Sequence, residues 1–128
     1  MAAGIKFKVI TAVQRRVNPI MRRAPRQQLI ETIGRRSGQP RVTPIGGRRS
    51  GAEFWLVSEH GDRSDYVKNI LANPRVRVRD RGTWLSGTAH VLRDDDARAR
   101  LAQLPRANSA AVAAMGTDLL TIRVDLGR

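Results

Sequence analysis

The spacing of apolar residues divides the chain into a helical N-terminal segment and a longer part with the shorter period of β-strands. Within residues 5–23, apolar side chains recur every three or four positions, at Ile5, Val9, Val13, Val17 and Ile20. This spacing predicts one apolar stripe of an α-helix, with most Lys and Arg residues on its other faces. A basic amphipathic helix is typical of an element packed on its own domain or of one lying on a membrane surface.

From residue 27 onward the pattern predicts short strands separated by Gly-containing and Ser-containing turns. Six strands are expected, at residues 27–33, 41–49, 53–59, 75–79, 84–92 and 119–124. Short helices are expected at residues 65–72, 94–104 and 109–115. Such short antiparallel strands with few helices favour a mainly β fold of the α+β type, built as a small closed or split barrel.

One predicted strand carries unusual chemistry. In residues 75–79, Arg and Val alternate strictly. Because successive side chains of a strand point to opposite faces, this pattern predicts one buried face and one face with three guanidinium groups, those of Arg75, Arg77 and Arg79.

The composition removes several classes of function. The chain of 128 residues has no cysteine and only two histidines, which excludes disulfides and a cysteine nucleophile and leaves too few ligands for most metal sites. Asp94, Asp95 and Asp96 are interpreted as the acidic start of a helix, so we expect no metal site. Charges interrupt the N-terminal helix too often for a transmembrane span, and it lacks the apolar region of a secretory signal.

The net charge of +13 is concentrated in the N-terminal part. Residues 1–50 contain twelve Lys or Arg and a single acid, Glu31, whereas residues 94–128 contain five of each sign. This asymmetry favours a polyanionic partner at one end of the molecule: nucleic acid, anionic lipid or a multiply charged ligand.

The segment from Gly34 to Pro44, GRRSGQPRVTP, combines features of an anion site. Glycines allow a tight turn with accessible N–H groups, arginine forks match phosphate or carboxylate oxygens, and Ser37 adds a hydroxyl donor. The same residues are also common at the tip of an exposed hairpin, so the pattern leaves both interpretations open. It is not a Walker loop, since no Gly-Lys-Ser/Thr follows.

Two segments together resemble the deazaflavin-dependent nitroreductase family: residues 32–44, TIGRRSGQPRVTP, and residues 67–76, VKNILANPRV. The likeness covers about residues 27–92. It implies a split β-barrel over residues 27–128, preceded by the basic helix within residues 1–26. It also implies the deazaflavin coenzyme F420, whose phosphate and oligoglutamate tail would account for the cluster of basic residues, with FMN as the less favoured cofactor.

The resemblance also implies roles for individual residues. The coenzyme phosphate would be held by Arg35, Arg36 and Ser37, and Gly38 and Gln39 of the same loop would also bind the cofactor. The ring system and its ribityl chain would lie over the following strand, on Arg41, Thr43, Pro44 and Ile45. The deazaflavin would be bordered by a strand end, at Val57, Ser58, Glu59 and His60, and covered from the short helix by Tyr66, Lys68 and Asn69.

The reaction implied by the resemblance is hydride transfer from the reduced coenzyme to an electron-poor small molecule: a quinone, an enone or a nitroaromatic. The candidates for a proton donor are Tyr66, His60 and Ser58.

The sequence leaves two alternative functions open and also suggests a location and an assembly state. The arginines of residues 75–79 suit a nucleic-acid-binding module, although the chain lacks interleaved aromatic residues and a helix-turn-helix, which disfavours nucleic acid. A non-catalytic, cofactor-binding or membrane-associated protein is another alternative. We expect a cytoplasmic location, with the membrane surface reached through residues 5–23, and split barrels of this kind often form homodimers.

Overall fold

The computed structural model describes residues 27–104 and 118–127. The predicted helices at 5–23 and 109–115 and the segment 1–26 lie outside these residues. The described part contains seven strands: β1 (Gln28–Ile33), β2 (Pro40–Ile45), β3 (Gly47–Ser50), β4 (Glu53–Ser58), β5 (Arg75–Asp80), β6 (Thr83–Leu92) and β7 (Leu120–Leu126). It also contains α1 (Asp65–Ala72), α2 (Ala97–Leu101) and a 3₁₀ turn (Gly61–Arg63).

The strands form one antiparallel sheet in the order β2-β1-β5-β6-β7-β4-β3. The two edge strands, β2 and β3, follow each other in the chain with only Gly46 between them. The sheet must therefore curl until its edges come close together, which gives a barrel with an open seam between β2 and β3. The expectation of a mainly antiparallel β-barrel is confirmed.

The prediction of six strands is wrong because residues 41–49 form two strands. β2 pairs with β1, whereas β3 pairs with β4. The change of partner occurs beside Gly47, where a Cβ atom would lie 2.5 Å from the ring of Phe54 and 2.5 Å from the carbonyl oxygen of Trp55. Glycine allows β3 to approach β4 this closely.

The barrel interior is filled by alternate residues of the strands and by one face of α1. This inner core contains Ile30, Ile45, Phe54, Leu56, Val67, Ile70, Val76, Val78, Ala89, Leu120, Ile122 and Val124. Helix α1 covers the same bounds as the predicted helix 65–72, which is confirmed. Its buried residues Val67 and Ile70 bring it against the barrel beside the end of β1.

Helix α2 packs on the outside of β4. Leu101 and Leu104 contact Val57 and form a smaller cluster with Trp55. The helix is shorter than the predicted 94–104 because only Asp96 caps it, its Oδ1 accepting from the Ala99 N–H at 3.1 Å.

The other acids of this run do not extend the helix. Asp95 instead accepts from Arg100 at 3.0 and 3.3 Å and from Thr121 at 2.8 Å. The acidic run therefore both starts the helix and fixes it to β7.

The prediction that Arg75, Arg77 and Arg79 share an exposed face is wrong for two of the three. Arg75 is exposed, but Arg79 is buried. Arg77 pairs with the buried Glu31 at 3.4 Å and lies 4.5 Å from the ring centroid of Trp84. The outer face of β5 is therefore covered and neutralised in part, which removes the row of cations that favoured nucleic acid.

The hairpin between β5 and β6 turns through Arg81 and Gly82, as the sequence predicts. Both residues have positive φ angles, 52° and 79°, which is the signature of a two-residue type I′ turn. Asn or Gly suits the first of these positions, and a residue such as Arg, whose Cβ atom crowds the backbone at positive φ, is strained there.

Candidate functional site

The loop of residues 34–39 joins β1 to β2 and is closed by its own hydrogen bonds. We call it the anion loop. The Gly34 N–H donates to the Gln39 carbonyl at 2.8 Å, and the Gly38 N–H donates to the Gly34 carbonyl at 2.8 Å. Ser37 Oγ accepts from the Gln39 N–H at 3.1 Å. Gly38 has a φ of 69°, which explains why glycine occupies this corner.

Asn69 of α1 fixes the anion loop from below. Its side-chain oxygen accepts from the Arg35 backbone N–H at 3.1 Å and from Arg35 Nη1 at 2.9 Å, and its amide nitrogen donates to Thr32 Oγ1 at 3.1 Å. Asn69 and Thr32 are both buried. The buried amide therefore joins the helix to the end of β1 and to the first residue of the turn.

A pocket of about 390 Å³ lies between the anion loop, the first half of β2 and the start of α1. It brings together seven of the predicted cofactor-binding residues, namely Arg35, Arg36, Ser37, Arg41, Thr43, Tyr66 and Asn69. Three further residues line it: Gly34 and Val42, which belong to the predicted anion segment, and Asp65, which the sequence did not single out. Asp65 could have been found from its place in the first turn of the predicted helix, directly above the loop.

The arginines of this pocket differ in their surroundings. Arg35 donates to Asn69 and lies 3.4 Å from the Asp65 carboxylate. Arg36 and Arg41 are exposed, and no carboxylate of the described residues pairs with either of them. All eleven Asp and Glu residues of the chain lie within the described ranges, so no acidic side chain elsewhere is left to neutralise these two. The pocket therefore presents two guanidinium groups that suit an anion.

Tyr66 lines the same pocket and carries a buried hydroxyl. Burial raises the pKa of Tyr66 to about 12, a hydrogen bond with Ser58 opposes that rise, and the Glu59 carboxylate adds to it. Ser58 Oγ is buried and lies 3.0 Å from Ser64 Oγ. The Tyr66 hydroxyl is therefore held in its neutral form, at one end of a short chain of three hydroxyl groups.

The remaining predicted site residues lie outside the residues that line this pocket. Gly38 and Gln39 shape the loop, Pro44 is exposed on β2, and the Ile45 side chain is buried in the inner core. Val57 packs against α2, and Lys68 is exposed on α1. His60 is exposed, with its Nε2 4.0 Å from Glu59 Oε1.

No group of three His, Asp or Glu in residues 27–104 and 118–127 is arranged to hold a metal ion. No helix in this described part is long and apolar enough to span a bilayer. The chemistry offered by the pocket is anion binding by arginine beside a neutral phenol.

Residues 6–127 match the family model described as F420H(2)-dependent quinone reductase. The chain belongs to the F420H(2)-dependent quinone reductase family. It is therefore an F420-dependent oxidoreductase, its cofactor is coenzyme F420, and a quinone-type small molecule fits the family as its acceptor.

Solved structures share the fold of this F420-dependent oxidoreductase. An F420 reductase is 20% identical with a TM-score of 0.57, and the match covers 81% of this chain and 88% of that one. The heme storage protein HutZ from Vibrio cholerae is 13% identical with a TM-score of 0.59, covering 86% and 87%. A FAD-binding protein from Mesorhizobium loti is 19% identical with a TM-score of 0.56, covering 80% of each chain.

The described pocket suits the cofactor of the family. An anion needs cationic partners that are not already neutralised, and Arg36 and Arg41 are two such groups in this pocket. The hydrogen-bonded anion loop fixes the backbone of Arg36, and pairing with β1 fixes the backbone of Arg41, so neither backbone needs to be ordered when an anion binds.

Proposed function

We propose that the pocket beside the anion loop binds the phosphate part of F420 through Arg36, Arg41 and the loop, and that Tyr66 supplies the proton that completes the reduction of a quinone-type acceptor. One observation carries the proposal: two exposed arginines without a carboxylate partner line one pocket, Arg36 on the anion loop that Asn69 fixes and Arg41 on the adjoining strand β2. Ser37 contributes through the shape of the turn, because its hydroxyl already accepts the Gln39 N–H.

The roles of the arginines are divided. Arg35 is held by Asn69 and Asp65, so it stabilises the loop and adds positive potential. Arg36 and Arg41 are the direct partners of the anion. The bound coenzyme supplies the hydride chemistry, and reduction of a quinone to a quinol by hydride also needs a proton. Tyr66 is placed to give this proton, since it lines the pocket and its hydroxyl stays protonated at neutral pH.

Substitution of Arg36 tests the binding part of the proposal. Arg36→Ala should weaken F420 binding by roughly ten- to a hundredfold, because a charge-assisted hydrogen bond is lost. Fluorescence titration with F420 measures the dissociation constant. Arg75→Ala is the matched control, since it removes an exposed arginine at the far end of α1. Equal affinity of the wild type and the Arg36 variant would exclude the assigned role.

Substitution of Tyr66 tests the proton donor. Tyr66→Phe should lower the turnover of a soluble quinone by roughly a hundredfold, while F420 affinity stays within about twofold. Because the pKa of Tyr66 is about 12, the wild-type rate should show no loss from tyrosine ionisation between about pH 6 and 10. His60→Gln is the control for a second of the three predicted donors. Undiminished turnover of the phenylalanine variant would refute the role of Tyr66.

The same proposal extends to location and assembly. Quinones with long apolar chains partition into membranes, and residues 5–23 have the pattern of a basic surface helix. We therefore expect the chain to bind vesicles with anionic lipids through this segment, and equal co-sedimentation of the full chain and of a chain without residues 5–23 would reject this. Homodimerisation stays a prediction, to be measured by sedimentation equilibrium.

A further inference from the structure

A second and larger pocket lies at the opposite end of the β1–β2 hairpin. It has a volume of about 780 Å³ and is lined by Gln28, Gly47, Arg48, Arg49, Gly51, Asp80, Arg81, Gln103 and Leu104. Gln28 begins β1, whereas Gly34 of the first pocket follows the end of this strand. Six residues of extended chain separate the two places by roughly 20 Å, so one phosphate group cannot contact both.

Three guanidinium groups give this second arginine pocket its charge. Arg48 and Arg49 are oriented by uncharged groups, since Arg48 Nη1 donates to the Gln103 carbonyl at 3.3 Å and Arg49 Nε donates to the Gly51 carbonyl at 3.0 Å. Arg81 completes the set from the β5–β6 turn. Among the described residues, no carboxylate forms an ion pair with any of the three.

The acids of the chain do not cancel this charge. All eleven Asp and Glu residues lie in the described ranges. The acids that form ion pairs with arginine do so with arginines outside this pocket. Asp80 is the one carboxylate among the lining residues, and it accepts from Gln28 Nε2 at 2.9 Å. The three arginines thus leave a net positive pocket with accessible N–H donors.

The backbone of Arg81 provides an independent indication. Its φ of 52° makes it the one described residue other than glycine with a positive φ. Asn, Asp or Gly would occupy this first turn position with less strain. A charged residue at a strained position that lines a pocket points to a use for its side chain.

We propose that the second arginine pocket is an anion site that takes a phosphate group, separate from the site proposed for F420. The phosphate can come from two sources, a soluble phosphorylated compound or the headgroup of an anionic lipid. Both present the tetrahedral oxygens that arginine forks match. The proposal does not depend on how F420 binds, because it rests on other residues at the other end of the hairpin.

The test uses amide NMR of the full chain with inorganic pyrophosphate as the probe. Signals of Arg49, Gly51 and Gly82 should shift with a saturable binding curve, and the same shifts should persist in Arg36→Ala. Arg49→Ala and Arg81→Asn should each weaken this binding by about tenfold, whereas Arg75→Ala should leave it unchanged.

The Arg81→Asn variant separates binding from folding. Asparagine suits the turn better than arginine, so this variant should have a higher melting temperature and yet lose pyrophosphate affinity. Absence of saturable shifts at these amides, or equal weakening in Arg75→Ala, would overturn the proposal.

A second arm of the test identifies the source of the phosphate. Co-sedimentation with phosphatidylglycerol vesicles that falls in Arg49→Ala and Arg81→Asn, but not in Arg75→Ala, assigns the site to a lipid headgroup. If all variants bind vesicles equally, and Arg49→Ala and Arg81→Asn still weaken pyrophosphate binding, the site is assigned to a soluble phosphate compound.

Discussion

Asn69 is a buried amide whose oxygen and nitrogen both serve the anion loop. With two hydrogen bonds to Arg35 and one to Thr32, its side chain has little capacity left for a ligand. Sequence resemblance places Asn69 among the cofactor-binding residues, whereas its contacts are those of a residue that positions the loop. The same contacts already engage the Arg35 guanidinium, so Arg35 is not given the direct anion-binding role proposed for Arg36 and Arg41.

Asn69→Ala should therefore weaken F420 binding and destabilise the fold together. Removal of the amide leaves the Arg35 N–H and the buried Thr32 hydroxyl without partners, which should lower the free energy of unfolding by about 2–3 kcal/mol. The F420 dissociation constant should rise by roughly tenfold as the loop loosens. Urea unfolding and fluorescence titration measure the two effects.

Asn73→Ala is the matched control for Asn69→Ala. Asn73 ends the same helix and its side chain accepts from the Arg75 N–H at 3.1 Å, remote from the loop. Asn73→Ala should lower the free energy of unfolding by less than Asn69→Ala does, and it should leave F420 affinity unchanged. If Asn69→Ala altered stability alone, its part in forming the anion site would be disproved.

At the scale of elements, the passage from β2 to β3 decides the architecture. The chain leaves one edge of the sheet and enters the other within a single residue, Gly46. The close approach of Gly47 to Phe54 and to the Trp55 carbonyl fixes β3 against β4. The edge strand β2 carries Pro40 and Pro44, residues that lack an N–H and so discourage pairing with another chain.

Gly47→Ala should be strongly destabilising for its size. The added methyl would lie 2.5 Å from both the Phe54 ring and the Trp55 carbonyl oxygen, and the backbone oxygen cannot easily move. We expect a loss of about 1–3 kcal/mol in the free energy of unfolding, measured by urea denaturation. Ser50→Ala, an exposed change on the same strand, should stay within about 0.5 kcal/mol. Equal stability of the two variants would contradict the tight packing inferred at this position.

The elements with clear local signals are those that the sequence predicts well. Helix α1 has both an apolar face and a stop at Asn73-Pro74, and its bounds are predicted correctly. The break within residues 41–49 was missed because strand periodicity continues across Gly46, and only the change of partner, a tertiary effect, divides the run. The covered face of β5 was missed for a similar reason, since alternation alone cannot show that Glu31 of a neighbouring strand pairs with Arg77. The anion loop was found from its glycines and arginines, but the locking role of Asn69 needs a contact 34 residues away in the chain.

At the scale of the whole molecule, the few acids are used mainly to hold arginines in place. Hydrogen bonds from arginine lower the pKa of Asp62, Asp95 and Asp125, through Arg93, Arg100 and Arg123 respectively. The other arginines include those of the two pockets. The positive charge of the chain thus has two parts: arginines that pair with acids and stabilise the fold, and arginines without an acidic partner that are available to bind anions.

Acid should destabilise the fold partly through Asp95. Because its folded pKa is lower than the usual 3.8, the stability it adds is present above about pH 4 and is lost as the pH falls through the lower value. Asp95→Asn should cost about 1 kcal/mol at pH 7, from the weakened contacts with Arg100 and Thr121. It should also make stability depend less on pH below about pH 5, as measured by urea unfolding at each pH.

Asp94→Asn is the control for this change, since Asp94 is exposed and precedes the capped helix. It should leave both the stability and its pH profile close to those of the wild type. An identical pH profile for Asp95→Asn and the wild type would show that the contacts of Asp95 do not contribute to acid resistance.

The position of β7 in the sheet has a consequence for the making of the protein. This strand comes last in the chain, yet it lies between β6 and β4 and pairs with both. During synthesis, the β3–β4 hairpin therefore has no neighbour on its inner side until residues 120–126 have left the ribosome. The barrel can close only after these residues have emerged, and a chain that stops before Leu120 would expose two unpaired strand edges to aggregation.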